Sequence, residues 1–249
     1  VASAMFASLL AAAAANEDNT FITFSNHSAQ DLVESYFRDP DGQIQFRNVA
    51  SSSHTCFALF DNGHSAGRHK HTGQFLLPDK GIIMSTGNPE DFHTNDSEET
   101  STNFGVTTGD INLEHLKKEK EEQVLDPCFI EFEASCPEAV GIYTPQLTFN
   151  YVFGSEEYFK KAKKPDDVEI AEEERKEASD VLGLFLNDEN IALVPHENGG
   201  LVSVSIKDVH EKKNEQYFVN NDVTVSEEGT VTSAYDEVEA DGFTTKLTA

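Results

Sequence analysis

Short apolar runs in which every second residue is polar recur along the chain. The clearest run covers residues 146–153, in which Leu147, Phe149, Tyr151 and Phe153 occupy every second position, with Thr148, Asn150 and Val152 between them. Because successive side chains of a strand point to opposite faces, this period predicts a strand that places all four in one core. Similar runs predict strands at 21–24, 56–60, 81–85, 129–134, 181–186, 201–209 and 243–247.

Turn-forming residues such as Asp61-Asn62-Gly63 and Asn198-Gly199-Gly200 separate these runs. Many short strands joined by such turns are typical of sandwiches and jelly rolls. We therefore predict a mainly β protein, an antiparallel β-sandwich or jelly roll with a few short helices, in a single domain over residues 16–249.

Three stretches depart from this pattern. Residues 29–37 follow Ser28, a favourable N-cap, and carry apolar side chains at helical spacing, which predicts a helix. Residues 113–122 predict a short charged helix. Residues 160–178 are mostly Lys, Asp and Glu, and we interpret 160–179 as an exposed charged insertion stabilised by ion pairs between successive helical turns.

Residues 1–15 carry no charged side chain and end in a run of alanines. They are too short to span a bilayer but resemble the apolar core of a signal peptide, with Ala13-Ala14-Ala15 as its cleavage site. We predict a partial leader over residues 1–15, and hence secretion. The alternative is a short buried Ala-rich helix.

The formal net charge of −27 at pH 7 restricts the possible partners. Nucleic acid and anionic membrane surfaces are excluded, because binding to phosphate groups needs clustered Lys and Arg. An acidic surface instead attracts cations, either as a diffuse atmosphere or at a specific Ca²⁺ site. The 38% of hydrophobic residues, among them 18 Phe, suffices for a folded core.

The chain has 3 cysteines, Cys56, Cys128 and Cys136, so at least one stays unpaired within a monomer. The predicted strand 129–134 would separate Cys128 from Cys136 by about 25 Å between Cα atoms. A disulfide needs less than about 7 Å. If the chain forms one disulfide, we therefore expect it to include Cys56.

The most distinctive segment is YVFGSEEY at residues 151–158, an apolar strand that ends in paired carboxylates. Further motifs stand before and after it; they are DLV at 31–33, GIIMSTG at 81–87, TSTNFG at 100–105, DVLGLFL at 180–186, VSVSI at 202–206 and DGFTTKLTA at 241–249. In this order the motifs resemble the choice-of-anchor L domain family, which occurs in surface proteins with varied anchoring signals.

The resemblance runs from about residue 31 to residue 249 and implies a β-sandwich displayed outside the cell, with a role in adhesion or matrix. It supplies no catalytic residue. The family has a shorter connection between Tyr158 and Asp180, which supports the insertion at 160–179. Its pattern also continues beyond Ala249, so we expect a domain truncated at its C-terminus.

Oxygen-bearing side chains at strand ends suggest a metal site. Glu156 and Glu157 end one predicted strand, Asp180 begins the next, and Asn103 and Asp110 lie on loops that contain glycine. Calcium is bound by about six to eight oxygen atoms of such groups. We therefore predict a Ca²⁺ site from these residues; the alternative is that the carboxylates cap backbone N–H groups at the strand end.

No catalytic motif is present, so we do not predict an enzyme. Adjacent Glu156 and Glu157 would point to opposite faces of a strand and cannot be the carboxylate pair of a glycosidase. The nearby His64, His69 and His71 suit Zn²⁺ or Cu²⁺ but lack supporting cysteines, and a polar loop explains them equally well.

The chain is thus expected to be a secreted or cell-surface structural or adhesion module, stabilised by calcium. Its expected partner is extracellular matrix, a surface glycan or another surface protein, without insertion into the membrane. The alternative is a lectin-like carbohydrate-binding domain, which requires exposed aromatic side chains. The candidates are Tyr143, Tyr217, Phe218 and Tyr235.

Overall fold

The computed structural model describes residues 2–7, 28–37, 44–52, 56–61, 63–66, 68–69, 71–89, 104–105, 112, 116, 125–135, 148–158, 180–222, 224–225, 231–235, 238 and 240–249. The strand predicted at 21–24 and the insertion predicted at 160–179 lie outside these residues, as does nearly all of the helix predicted at 113–122.

Short strands dominate the described residues, joined by few helices. The strands are β1 (Ala2–Ala7), β2 (Gln45–Ser51), β3 (Phe57–Phe60), β4 (Gly81–Ser85), β5 (Ile130–Ser135), β6 (Asn150–Ser155), β7 (Phe185–Leu186), β8 (Glu189–Asn190), β9 (Leu193–Pro195), β10 (Leu201–Ser203), β11 (Phe218–Asn220), β12 (Thr224–Val225), β13 (Val231–Thr232), β14 (Gly242–Thr244) and β15 (Leu247–Thr248). The helices are α1 (Ala29–Tyr36) and α2 (Gly63–Ala66), with 3-10 turns at Glu156–Tyr158 and Glu215–Tyr217.

The main sheet has 7 strands in the order β11-β14-β6-β1-β4-β3, and β15 continues beside β6 after β14. The other described strands form two-stranded sheets, β2 with β5, β7 with β8, β9 with β10 and β12 with β13. Every described pair is antiparallel. The predicted mainly β, antiparallel class is confirmed, and the arrangement is compatible with a sandwich.

Strand β6 is buried on both faces. Tyr151 and Phe153 enter one apolar cluster, which half-buried Phe149 joins, as the alternation predicts; Leu147 lies outside the described residues. Val152, on the opposite face of the strand, enters a second cluster with Phe243. The sheet is therefore covered by apolar side chains on both sides, because apolar clusters pack against each of them.

Helix α1 confirms a prediction made from local residues. The Ser28 hydroxyl accepts the Asp31 N–H, and the Asp31 carboxylate accepts the Ser28 N–H, which makes a reciprocal capping box. Leu32 and Val33 are buried, and Leu32 packs with Ile82 of β4. The helix thereby covers one face of the main sheet.

Two of the predicted strands need correction. The strand predicted at 201–209 ends at Ser203, because the chain turns where the Ser205 hydroxyl donates to the Asp208 carboxylate. The strand predicted at 243–247 is divided into β14 and β15, and the Thr245 N–H between them donates to Tyr217 O. The turn residues predicted at 61–63 do separate two strands, and they lead into α2, where the Gly63 N–H donates to Asp79 O at 2.8 Å.

The segment predicted as a leader contributes a strand. Residues of β1 pair with β6 from Ala2↔Ser155 to Ala7↔Asn150, and with β4 from Ser3↔Ser85 to Phe6↔Ile82. Residues 2–7 are thus extended rather than helical, which excludes the alternative of an Ala-rich helix for this part. Removal of a leader concerns processing and stays a prediction. Among the described residues, no helix has the length and apolar character needed to cross a membrane.

Candidate functional site

The end of β6 brings separate parts of the chain together. The Ser155 hydroxyl donates to Asp180 Oδ2 at 2.5 Å, across 25 positions of sequence, and accepts the Glu157 N–H at 3.0 Å. The Asp180 backbone carbonyl in turn accepts the Ile206 N–H at 3.3 Å. Asp180 therefore lies at the end of β6, from which the chain leads into Glu156 and Glu157.

The two glutamates lie on a 3-10 turn rather than on an extended strand. Successive residues of such a turn are rotated by about 120°, so Glu156 and Glu157 point in different directions without lying on opposite faces of a sheet. Glu156 Oε1 and the Tyr158 hydroxyl are buried, and the Tyr158 ring packs on Phe218 with centroids 5.0 Å apart. The inner side of the turn is thus part of the core.

Small residues allow this strand end to pack closely. A Cβ atom at Gly154 would lie 2.7 Å from the Phe243 ring, and one at Gly242 would lie 2.6 Å from the Tyr158 ring. Glycine at both positions therefore lets aromatic rings cover the backbone beside Ser155. The contact between β6 and β14 therefore explains why the FGSEEY motif has glycine at position 154.

The predicted calcium ligands are only partly described. Carboxylates, a hydroxyl and backbone carbonyls are the oxygen ligands that Ca²⁺ takes, and the end of β6 offers all three kinds. Asn103 and Asp110 lie outside the described residues. Within the described part of the chain, no group of three or more His, Cys, Asp and Glu is placed to hold a metal ion. The five-residue calcium site stays a prediction, because two of its members are not described.

A buried carboxylate, not identified from the sequence, holds the neighbouring loop. Asp126 is buried, and its Oδ2 accepts the Phe104 N–H at 3.0 Å. Its φ of 46° lies in the left-handed region, which Asp tolerates better than most residues. Phe104 directly follows Asn103 in the chain, so this contact anchors the loop that bears one predicted ligand.

A second polar network lies in the segment after β10. Asp208, which is 1% exposed, accepts from the Ser205 hydroxyl at 2.8 Å and pairs with Lys213 Nζ at 2.7 Å. The Asn214 side chain donates to Asp208 O and Pro195 O. These bonds fix the turn after Ser205. Sequence reasoning missed them because it assigned 201–209 to one strand.

The histidines act as parts of turns. His69 Nδ1 accepts the backbone N–H groups of His71 and Thr72, and its ring contacts Tyr235 edge-on with centroids 5.3 Å apart. The His64 ring packs on Phe75 instead. Because His69 uses its Nδ1 within the turn, the polar-loop interpretation of these histidines accounts for the geometry.

The aromatic residues considered for sugar binding are mostly enclosed. Tyr235 is 4% exposed and belongs to a core cluster. Phe218 and Tyr217 are half-buried against the cluster around Tyr158. Tyr143 lies outside the described residues. Phe75, which the sequence did not single out, is 56% exposed.

The predicted participation of Cys56 in a disulfide is confirmed. Cys56 and Cys128 are bonded, with Cα atoms 5.8 Å apart. Cys56 directly precedes β3 of the main sheet, and Cys128 precedes β5 of the β2–β5 pair. The bond therefore ties the smaller sheet to the larger one, and Cys136 lies outside the described residues.

Comparison with known proteins identifies the family to which the chain belongs. Neither the curated proteins nor the solved structures contain a match to the chain. The family model of the choice-of-anchor L domain matches residues 18–249, which is essentially the whole chain. That family consists of surface-associated modules, found in secreted or cell-surface proteins. The chain belongs to the choice-of-anchor L domain family.

Proposed function

We propose that this domain is displayed outside the cell, where it serves as a structural or adhesion module rather than an enzyme. The observation that carries the proposal is the disulfide between Cys56 and Cys128, which joins two sheets in a family of surface modules. Such bonds persist in oxidising surroundings and are rare in the cytosol. The proposed binding partner of the domain is extracellular matrix, a surface glycan or another surface protein.

Display and adhesion can be tested separately. An antibody against the domain should label intact, non-permeabilised cells of the source organism; labelling only after permeabilisation would refute display. Purified domain should bind one of the three partner classes when each is immobilised. The same domain, reduced and alkylated at Cys56 and Cys128, is the matched control, because its two sheets are no longer linked. Absence of binding to all three classes would refute adhesion.

Calcium is proposed as the stabilising ion, bound by Glu156, Glu157, Asp180, Asn103 and Asp110. The net charge of −27 and the convergence of Asp180 on the carboxylate-bearing end of β6 support it. Like charges crowded at one place repel each other unless a cation intervenes. A ligand that binds only the folded state stabilises it by about 2.7 kcal/mol at a hundredfold excess over Kd.

Thermal unfolding with EDTA, Mg²⁺ and Ca²⁺ at matched ionic strength tests the ion. The midpoint should rise with Ca²⁺ more than with Mg²⁺, and the variants Glu157→Gln and Asp180→Asn should lose that rise. Glu189→Gln is the control, because Glu189 is an exposed carboxylate in β8, outside the main sheet. Equal responses to both ions, or equal losses in all three variants, would leave only diffuse screening and refute the site.

Carbohydrate binding is a second candidate function, and Phe75 is the observation that favours it. Its ring is 56% exposed and stands beside His64, with ring centroids 4.7 Å apart. Aromatic faces with polar neighbours suit the apolar side of a sugar ring. Phe75→Ala should abolish binding to a glycan array, whereas Leu186→Ala, at another exposed apolar residue, should not. Equal binding by both variants would refute this function.

A further inference from the structure

The segment around Phe75 differs in charge from the rest of the chain. Asp and Glu outnumber Lys and Arg by 45 to 18 in the whole sequence. Between residues 62 and 78 there is no acidic residue, and this stretch contains one Arg, one Lys and three His. The acidic side chain that precedes it, Asp61, is paired with Lys80 Nζ at 2.7 Å. An anionic ligand therefore meets little local repulsion at this segment.

Backbone pairing places Arg68 and Phe75 side by side, and we name residues 68–75 the Arg68–Phe75 loop. The two residues are partners in an antiparallel bridge, and the His69 N–H donates to Gln74 O at 2.8 Å. Side chains of directly opposite residues lie on the same face, with Cβ atoms about 4.5–5.5 Å apart. Arg68 and Phe75 therefore share one face of the loop. His69 belongs to the other face, where its ring contacts Tyr235.

The side chain of Arg68 is exposed and its donors are open to a ligand. Among the described residues its guanidinium has no hydrogen bond or ion pair, whereas Lys80 and Lys213 each pair with a carboxylate. The guanidinium lies beside Gly73, where a Cβ atom would be 3.6 Å from Arg68 Nη2. Glycine at this position, with its φ of 68°, thus leaves that side of the guanidinium uncovered.

Phe75 supplies an apolar surface next to this charge. Its ring is 56% exposed, and the exposed His64 ring stands beside it with centroids 4.7 Å apart. An exposed aromatic face offers a large apolar contact area, which the C–H face of a sugar ring can cover. A guanidinium binds a carboxylate through two parallel N–H donors. A sugar ring that stacks on Phe75 would therefore place its carboxylate within reach of Arg68.

We propose that the Arg68–Phe75 loop binds an acidic glycan, whose uronic acid rings stack on Phe75 while their carboxylates pair with Arg68. The inference rests on carbohydrate binding at Phe75, the second candidate function, and names the class of glycan. A neutral glycan lacks the group that Arg68 binds. The net charge of −27 does not prevent this binding, because at an ionic strength of about 0.15 M charges are largely screened beyond about 8 Å.

Matched pairs of oligosaccharides test the class of glycan. Oligosaccharides that contain galacturonate, guluronate or glucuronate are each compared with their carboxyl-reduced form, which keeps the sugar rings and removes the charge. Binding to the full chain is measured by isothermal titration calorimetry at physiological ionic strength. We expect at least one acidic oligosaccharide to bind at least tenfold more tightly than its reduced form, because only the acidic form offers Arg68 a carboxylate.

Three variants locate the site. Arg68→Gln should bind the acidic form no more tightly than the reduced form. Arg47→Gln is the matched control, because it removes the same charge from an exposed position in β2, outside the main sheet, and should keep the tenfold preference. Phe75→Ala should abolish binding of both forms, because the stacking surface is lost.

Failure of this inference and failure of carbohydrate binding give different results. Equal binding of acidic and reduced forms, lost in Phe75→Ala, would leave carbohydrate binding intact and overturn the preference for acidic glycans. A preference that survives in Arg68→Gln would overturn it as well. Absence of binding of every oligosaccharide, acidic or reduced, would refute carbohydrate binding at Phe75 and the inference with it. If Arg68→Gln weakened self-association of the chain but not glycan binding, the loop would be a protein contact and the proposal would be wrong.

Discussion

Asn221 offers the sharpest test of how the second half of the chain is held on the sheet. Its side chain is 1% exposed, and its Nδ2 donates to the carbonyls of Tyr235, Val238 and Ala240 at 3.3, 2.9 and 3.0 Å. Its Oδ1 accepts the Tyr235 N–H at 2.7 Å. The segment bound in this way supplies Tyr235, Val238 and Ala240 to the apolar cluster on one face of the main sheet.

Asn221→Ala should destabilise the fold by about 4 kcal/mol. The substitution removes the partner of one buried N–H and of the Val238 and Ala240 carbonyls, whereas the Tyr235 carbonyl still accepts the Val238 N–H. Each unpaired buried group costs roughly 1–3 kcal/mol. We take the lower end, because the 3.3 Å contact is long and the segment can relax toward water. A loss of about 4 kcal/mol is a large share of the roughly 5–15 kcal/mol that stabilises a typical domain.

Equilibrium unfolding in urea, followed by circular dichroism, measures this loss. Asn220→Ala is the matched control. The side chain of Asn220 is exposed and accepts the Asp222 N–H, so its removal should cost less than about 0.5 kcal/mol. Asn221→Asp keeps the acceptor for Tyr235 but turns a negative charge toward carbonyl oxygens, so it should be at least as harmful as alanine. If Asn221→Ala and Asn220→Ala unfolded at the same urea concentration, the hydrogen bonds of Asn221 would not hold this segment.

Two further predictions concern pH and the disulfide. Burial raises the pKa of Tyr151 from 10.0 to about 12, so the folded state keeps this proton when the unfolded state has lost it. Stability should therefore fall by about 2 kcal/mol as pH rises from 10 to 12. The pH dependence of unfolding across this range should be flatter in Tyr151→Phe, and an unchanged slope would refute the assignment. The Cys56–Cys128 bond closes a loop with a sequence separation of 72. The double variant Cys56→Ala/Cys128→Ala should therefore lower the free energy of unfolding by about 4 kcal/mol, whereas the control Cys136→Ser should leave it unchanged. Equal unfolding midpoints in urea for these two variants would contradict the prediction.

Features that depend on neighbouring residues could be predicted from the sequence. The capping box of α1 needs only Ser28 and Asp31, and the bounds of β4 follow from a short apolar run that begins at a glycine. The predicted disulfide partner Cys56 follows from the spacing of the other two cysteines. Each of these inferences uses distances along the chain that elementary geometry already limits.

Features that depend on distant partners could not be predicted in the same way. Strand β2 has little apolar alternation, and its pairing with β5 shifts register between Arg47 and Ala50, beside Asn48 with its positive φ of 53°. The sequence around Asn221 does not indicate its structural role, because the carbonyls that its side chain binds lie 14 to 19 positions later in the chain. At the candidate site, the convergence of Asp180 on the end of β6 was predicted, but the Ser155 hydroxyl that binds it was not.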